Sequence, residues 1–226
     1  MSIQCINTRL LSRGPLRVRV LRVDNPTLIW VQLENSREDL EELIESLTLR
    51  MNRRSHVLHC LPDDIKPDEL VAIREGRKWQ RGIINQIGRH NLVTIFLRDW
   101  GRTIQRPMSD CYILEDRFHN VSWKAISCGL AYIKPLGTGI LWSDRVNLLT
   151  RILVEGREGY IQILGTHTEE SAAITLRSVR SSEDEIIDLK ELLIRMGCAQ
   201  HSDRMMLGLP NSDQPGEDEQ RVSSSG

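Results

Sequence analysis

The sequence predicts a mixed, β-rich α+β protein in which a small barrel is inserted into a second lobe and a helix joins the two. Three observations predict it. Short strand candidates with glycine at their connections crowd the stretch 70–105, the pattern of a small barrel. An amphipathic helical pattern precedes them at 36–53. The strands on either side, at 16–34 and 159–179, are too few to make a sheet alone, so they complete one another across the insertion.

Residues 1–14 lack periodicity and read as a flexible leader. LRVRVLRV (16–23) alternates apolar and basic residues, as a half-buried strand does. The turn DNPT leads into LIWVQLE (28–34), completing a hairpin. Ser36 followed by Asp39 reads as an N-cap and capping box. Leu40, Leu43, Ile44, Leu47 and Met51 then recur at helical spacing up to Arg53 and Arg54. LPDDIKPDEL is a loop. The barrel strands are Leu70–Ile73, Trp79–Gln86, Leu92–Arg98 and Thr103–Gln105, with Gly76, Gly88 and Gly101 between them.

Beyond PMSDCYIL the spacing of Trp123, Ile126, Leu130 and Ile133 predicts a helix over 121–133, with Pro135 just past its end. A second helix spans Trp142–Leu153, with Ser143 as its cap. Strands follow at 159–165 and 171–179, then a last helix at 188–196 closed by Gly197. From His201 to residue 226 the chain is polar and acidic and reads as a disordered tail, with MMLGLP an apolar island inside it.

The 226 residues balance 30 Lys and Arg against 31 Asp and Glu, a net charge of -1, so bulk attraction to phosphate backbones is not expected. The apolar runs are short for a membrane span, and the N-terminus has no apolar signal core. The expected location is the cytoplasm, perinuclear germ granules included, with the nucleus left open. Cys5, Cys60, Cys111, Cys128 and Cys198 are an odd set without a C-x-x-C pair and read as reduced thiols. His56, His59 and Cys60 have no second ligand cluster nearby, so no metal or other cofactor is expected. No P-loop, G-x-S-x-G or H-E-x-x-H occurs, and strands 16–34 offer no carboxylate cluster beyond Asp24 and Glu34, which argues against an enzyme.

Several stretches carry a family resemblance. KWQRG (78–82) and FLRDWGR (96–102) resemble the paired W-Y-R-A and F-x-x-D-Y-G-N strands of the extended Tudor domain. WKAISCGLAYIKP (123–135) resembles its A-x-x-C-x-L-x-x-I-x-P helix, LWSDRV its W-S/T helix start, and LLIRMGCA (192–199) its closing L-x-x-x-G-x-A. The resemblance covers about residues 16–200 and implies a Tudor barrel at about 65–115. That barrel is inserted into a staphylococcal-nuclease-like, OB-type lobe of 16–34 and 120–200, with helix 36–53 as linker. The style is that of the germline PIWI–piRNA Tudor proteins, scaffolds of RNA silencing.

Such domains bind symmetric dimethylarginine between aromatic walls by cation–π attraction. Carried over by position, the walls are degraded. Arg74 stands two residues past Ala72 where an aromatic is expected, Gln80 replaces tyrosine after Trp79, and Leu97 replaces the aromatic after Phe96. Trp100 substitutes for the tyrosine after Asp99, and Arg102 for the asparagine after Gly101. The resemblance therefore implies a non-catalytic protein-interaction module. It would bind a PIWI/Argonaute-family tail or another piRNA-pathway protein without requiring methylation, in the cleft between barrel and lobe.

Arg74 and Arg102 would meet acidic or carbonyl groups there, Trp100 an apolar or arginine side chain, and Asp99 an arginine; alternatively Trp100 packs on the barrel rim and Asp99 accepts backbone or arginine bonds at its own turn. Two other readings stay open. One is a structural or dimerising scaffold, homo- or hetero-oligomeric, with a vestigial cleft. The other is an RNA-binding module using the arginines of 11–22 and 49–56, although these stretches lack stacking aromatics and imply weak binding at most.

Overall fold

The computed structural model describes residues 3–179 and 186–205. Two small barrels dominate it. The first lobe is built from β1 (Leu16–Asn25), β2 (Leu28–Leu33), β8 (Ala125–Leu130), β10 (Glu158–Thr166) and β11 (Ser171–Val179). The sheet order is β10-β1-β2-β8-β11, and β11 pairs back onto β10, so the ring closes. Within it β8 and β11 run parallel while the other neighbours are antiparallel. That is the OB arrangement. Alternate residues of each strand fill the interior, among them Val18, Val20, Ile29, Val31, Ile126, Ile161 and Ile174. Register shifts within β1 let one long strand bend around the ring. The short β12 (Ile186–Asp188) extends the sheet beside β11.

Between β2 and β8 the chain leaves this lobe and builds the second barrel. Its strands are β3 (Leu70–Glu75), β4 (Lys78–Ile87), β5 (Leu92–Leu97), β6 (Arg102–Pro107) and β7 (Tyr112–Ile113), in the order β6-β5-β4-β3-β7. Val71, Ile73, Ile84, Val93, Ile95 and Leu97 form its interior. The connecting helix α1 (Arg37–Arg54) lays its apolar stripe against Trp79, Phe118 and Trp123. Thr48 and Asn52 of α1 accept hydrogen bonds from the backbone and indole N–H of Trp79, both at 3.0 Å. The fold closes with β9 (Ile133–Lys134), α2 (Asp144–Val154), α3 (Leu189–Arg195) and β13 (Gln200–His201), which pairs with β9. Ser143 caps α2, accepting from Val146 N, and Gly197 ends α3 at φ +64°.

Four expectations are corrected. Segment 121–133 holds strand β8, not a helix. Trp123 to Ala131 is buried at nearly every position, because one face of the strand fills the ring and the other is covered by the second barrel. A doubly covered strand loses its alternation and reads like a buried helix. The leader is fastened as far as it is described. Ile3 is buried against the α1 cluster, Gln4 O accepts from Trp123 N at 2.8 Å, and Thr8 N donates to Glu169 O at 2.6 Å.

The capping box is not formed either. Residues 34–36 make a 3₁₀ turn that runs straight into α1, so Ser36 Oγ points back to Leu33 O at 2.9 Å. Asp39 instead holds Lys124 Nζ at 2.8 Å. Finally, His201 belongs to a strand, and Ser202 N donates to Tyr132 O, so order extends past the expected start of the tail. The apolar island from Met206 and the acidic residues after it lie outside the described residues.

Candidate functional site

The turn between β5 and β6 sets the geometry. It needs a left-handed residue, and Gly101 supplies φ +63°. A side chain there would also collide with Trp30 of β2, its Cβ falling 2.1 Å from the indole Cγ. Trp30 meets Phe96 edge-on at 5.4 Å on the same side. The turn is thus pressed against the OB lobe on one flank, and on the other it presents Trp100 and Arg102.

Those two side chains and Gln80 line one cavity of about 430 Å³. Its walls come from three elements. β4 gives Lys78 and Gln80, α1 gives Arg37, Leu40, Glu41 and Ile44, and the OB hairpin gives Arg19, Val20, Leu21 and Gln32. Trp100 packs against both the α1 cluster and the barrel interior. Its indole N–H donates to Gln80 Oε1 at 2.9 Å, which fixes the ring. Arg102 is ion-paired with Glu75, which Arg106 also approaches at 3.6 Å.

The other three expected site residues do not line this cavity. Arg74 pairs across the strand with Trp79, whereas Gln80 pairs with Ile73. Opposed residues share a face, so Arg74 stands on the outer face and Gln80 turns inward; the exposed Arg74 Nε bonds to Gly76 O at 3.2 Å. Leu97 is fully buried in the barrel interior. It closes over Gly82, whose missing side chain would otherwise lie 2.5 Å from Ile95 and 3.2 Å from Leu97.

Asp99 is committed elsewhere. With 1 % of its side chain exposed, it takes a two-pronged pair from Arg81 at 2.7 and 3.0 Å and a bond from Lys124 N at 3.0 Å. Arg81 stacks 4.5 Å over Trp123 and spends its remaining N–H groups on the carbonyls of Phe118, Val121 and Ser122. No ligand arginine can use Asp99 while this network holds. Position along the chain could not separate these roles; the strand register does.

A second groove of about 1000 Å³ lies on the Trp30 side of the turn. Its arginines are matched internally, Arg22 with Asp24, Arg98 with Glu170 and Arg151 with Glu155. Among the described residues no three His, Cys, Asp or Glu side chains gather as metal ligands. His59 bonds to Cys60 O at 3.0 Å and Ser109 O at 2.7 Å. Burial pushes the thiols of Cys60 and Cys111 up to about 11 and about 12, and Cys5 and Cys128 likewise to about 11 and about 12, so all four are protonated at neutral pH.

The chain is similar to known proteins. The Tudor domain family matches residues 15–132, more than half of the chain. The chain is 27% identical over 128 residues to the human Tudor and KH domain-containing protein, which covers 54% of this chain and 22% of that protein. It therefore spans about a fifth of that relative's length.

Among solved structures it superposes on extended Tudor domain TD3 of mouse TDRD1, in complex with a MILI peptide containing dimethylarginine. There the TM-score is 0.76 at 14% identity, over 89% of this chain and 99% of that one. It also superposes on a Drosophila melanogaster Papi extended Tudor domain carrying an unmethylated Piwi N-terminal peptide. That match has a TM-score of 0.70 at 21% identity, over 83% of this chain and 99% of the other. At these identities the likeness establishes the fold.

Proposed function

From the premise that the chain belongs to the Tudor domain family, whose members are binding modules, we propose that it is a non-catalytic protein-interaction module. It binds a segment of a PIWI/Argonaute-family protein, or of another piRNA-pathway scaffold, in the cavity beside Trp100, and it does so without requiring arginine methylation. A cytoplasmic site of action belongs to the same proposal.

One observation carries the reading. Of the aromatic walls that would receive methyl groups, Trp100 alone faces the cavity, beside an amide at Gln80 and a cation at Arg102. Methylation removes donors from a guanidinium and adds apolar surface, a gain only where aromatic faces receive it. The PIWI peptides held by the mouse and Drosophila structures support the choice of partner class.

Calorimetry with matched peptides from a PIWI tail tests it. The methylated and unmethylated forms should bind within about threefold of each other. Tighter binding of the methylated form by about tenfold, about 1.4 kcal/mol, would overturn the reading.

A further inference from the structure

The charge around the cavity identifies what enters it. Four cationic side chains line it, Arg19, Arg37, Lys78 and Arg102, against the single carboxylate of Glu41. Of the carboxylates nearby, Glu75 holds Arg102 and Arg106, Glu158 holds Arg17 at 2.8 Å, reaches Arg37 at 4.0 Å and stands across the strands from Arg19, and Glu34 lies near Arg17 and Arg37. Glu41 itself accepts from Arg37 at 3.1 Å. Among the described residues, Lys78 forms no ion pair, Arg19 forms none beyond its cross-strand neighbour Glu158, and both are exposed. Arg74 and Arg77 add exposed charge on the adjoining β3–β4 hairpin. The wall between the cations is apolar, from Val20, Leu21, Leu40, Ile44 and Trp100.

We propose that this cavity takes an acidic segment of a partner protein, one apolar side chain seated against Trp100, Leu40 and Ile44 and flanking carboxylates on Arg19 and Lys78. The inference rests on the reading of the cavity as a peptide site and names the chemistry of its ligand. Within such a partner, an acidic stretch is drawn to this rim, whereas an arginine-rich one brings like charge to it. An acidic segment meets the exposed Lys78 and the cluster of Arg17, Arg19 and Arg37, which among the described residues outnumbers the carboxylates Glu158 and Glu41 that it shares. Charge complementarity points to a partner's segment, and the chain's own acidic tail, which follows Met205 packed over Gly165, is the competing occupant that the test must separate. Gly165 lies near the far end of β10 from Glu158, which borders the cavity.

Fluorescence anisotropy on the full chain tests this with two labelled probes, Glu-Asp-Gly-Leu-Gly-Asp-Glu and its counterpart with Arg at every acidic position. The acidic probe should bind at least about tenfold tighter, and weaken on going from about 0.05 to about 0.2 M salt. Arg19→Glu with Lys78→Glu should cost it about tenfold or more in protein that still unfolds cooperatively; the milder Lys78→Ala should cost it in the same direction at an unchanged melting temperature. The proposal is overturned if the acidic probe does not bind, if the Arg probe binds as well, or if the charge reversal leaves affinity within about twofold.

Trp100→Ala separates the two levels. If the Arg probe binds better and Trp100→Ala abolishes it, the cavity stands as a peptide site and the acidic assignment falls. If Trp100→Ala changes neither probe, the cavity reading itself falls. If Asp213→Asn, Glu217→Gln, Asp218→Asn and Glu219→Gln together tighten the acidic probe about tenfold, the occupant is the chain's own tail and the partner assignment is overturned.

Discussion

Gly101 answers to two constraints at once, its left-handed backbone and the indole of Trp30 where a methyl group would sit. Gly101→Ala is therefore expected to cost about 2–4 kcal/mol, combining backbone strain with overpacking. Denaturant unfolding measures this, and a loss under about 0.5 kcal/mol would mean that Trp30 moves aside without cost. Asp99 stands two residues away and has a different task. It neutralises Arg81, whose N–H groups bind the carbonyls of 118–122 and so tie the second barrel to the strand re-entering the first. Removing one partner of such a buried pair strands the other charge. Asp99→Asn should lower stability by about 3–5 kcal/mol, read as a fall in melting temperature. Arg81→Lys should not spare it, since an ammonium cannot reproduce the fork.

At the scale of elements, α1 is anchored at its C-terminal half by Glu115, which follows β7 and receives Arg50 at 2.6 and 2.7 Å. Those bonds, helped by the charges of Arg54 and Arg117, hold the Glu115 carboxyl below its ordinary 4.5. A depressed carboxylate stabilises the fold above its unfolded value, and the contribution disappears as pH falls through the lowered folded value. Glu115→Gln should thus be less stable than the parent at neutral pH. The gap should narrow below about pH 4.5 in a series of unfolding midpoints; a gap independent of pH would argue against the pair.

The elements also show what the sequence discloses. Both barrels' alternating strands, the stripe of α1 and the glycine turns are local signals and were legible. Segment 125–130 was not, because a strand covered on both faces has no period. Of the expected site residues, Gln80, Trp100 and Arg102 meet at one cavity. Arg74 does not reach it because a short hairpin sets the register, nor does Leu97, which Gly82 lets drop inward, while Asp99 takes the arginine and backbone bonds expected at its turn from Arg81, 18 positions away, and Lys124. None of these depends on residue type alone. They also bear on rebuilding a cage: an aromatic at Arg74 would face away from the cavity, and one at Leu97 would have to fit inside the barrel.

For the whole molecule, the two lobes are joined by buried contacts. Trp30 lies on Gly101 and Phe96, Arg81 and Asp99 grip the 118–124 segment, and Lys124 reaches Asp39 of α1. Heat or denaturant should therefore unfold them together, with tryptophan fluorescence and far-ultraviolet circular dichroism giving one coincident midpoint. Two separated transitions would show that each lobe stands alone.

The interrupted ring has a further consequence, in the order of manufacture. The β1–β2 hairpin emerges from the ribosome early, but its neighbours β8, β10 and β11 come only after the whole inserted barrel. At about 5–20 residues per second, roughly seven to thirty seconds separate the end of β2 from the end of β11. The inserted barrel has all its strands well before then, and its contacts are more local, which favours early formation. Through that interval Val18, Val20, Ile29 and Val31 have no lobe interior to enter. Nascent chains held at this length would expose an apolar hairpin beside an already folded barrel, and that is the stage at which the cell must shield this protein.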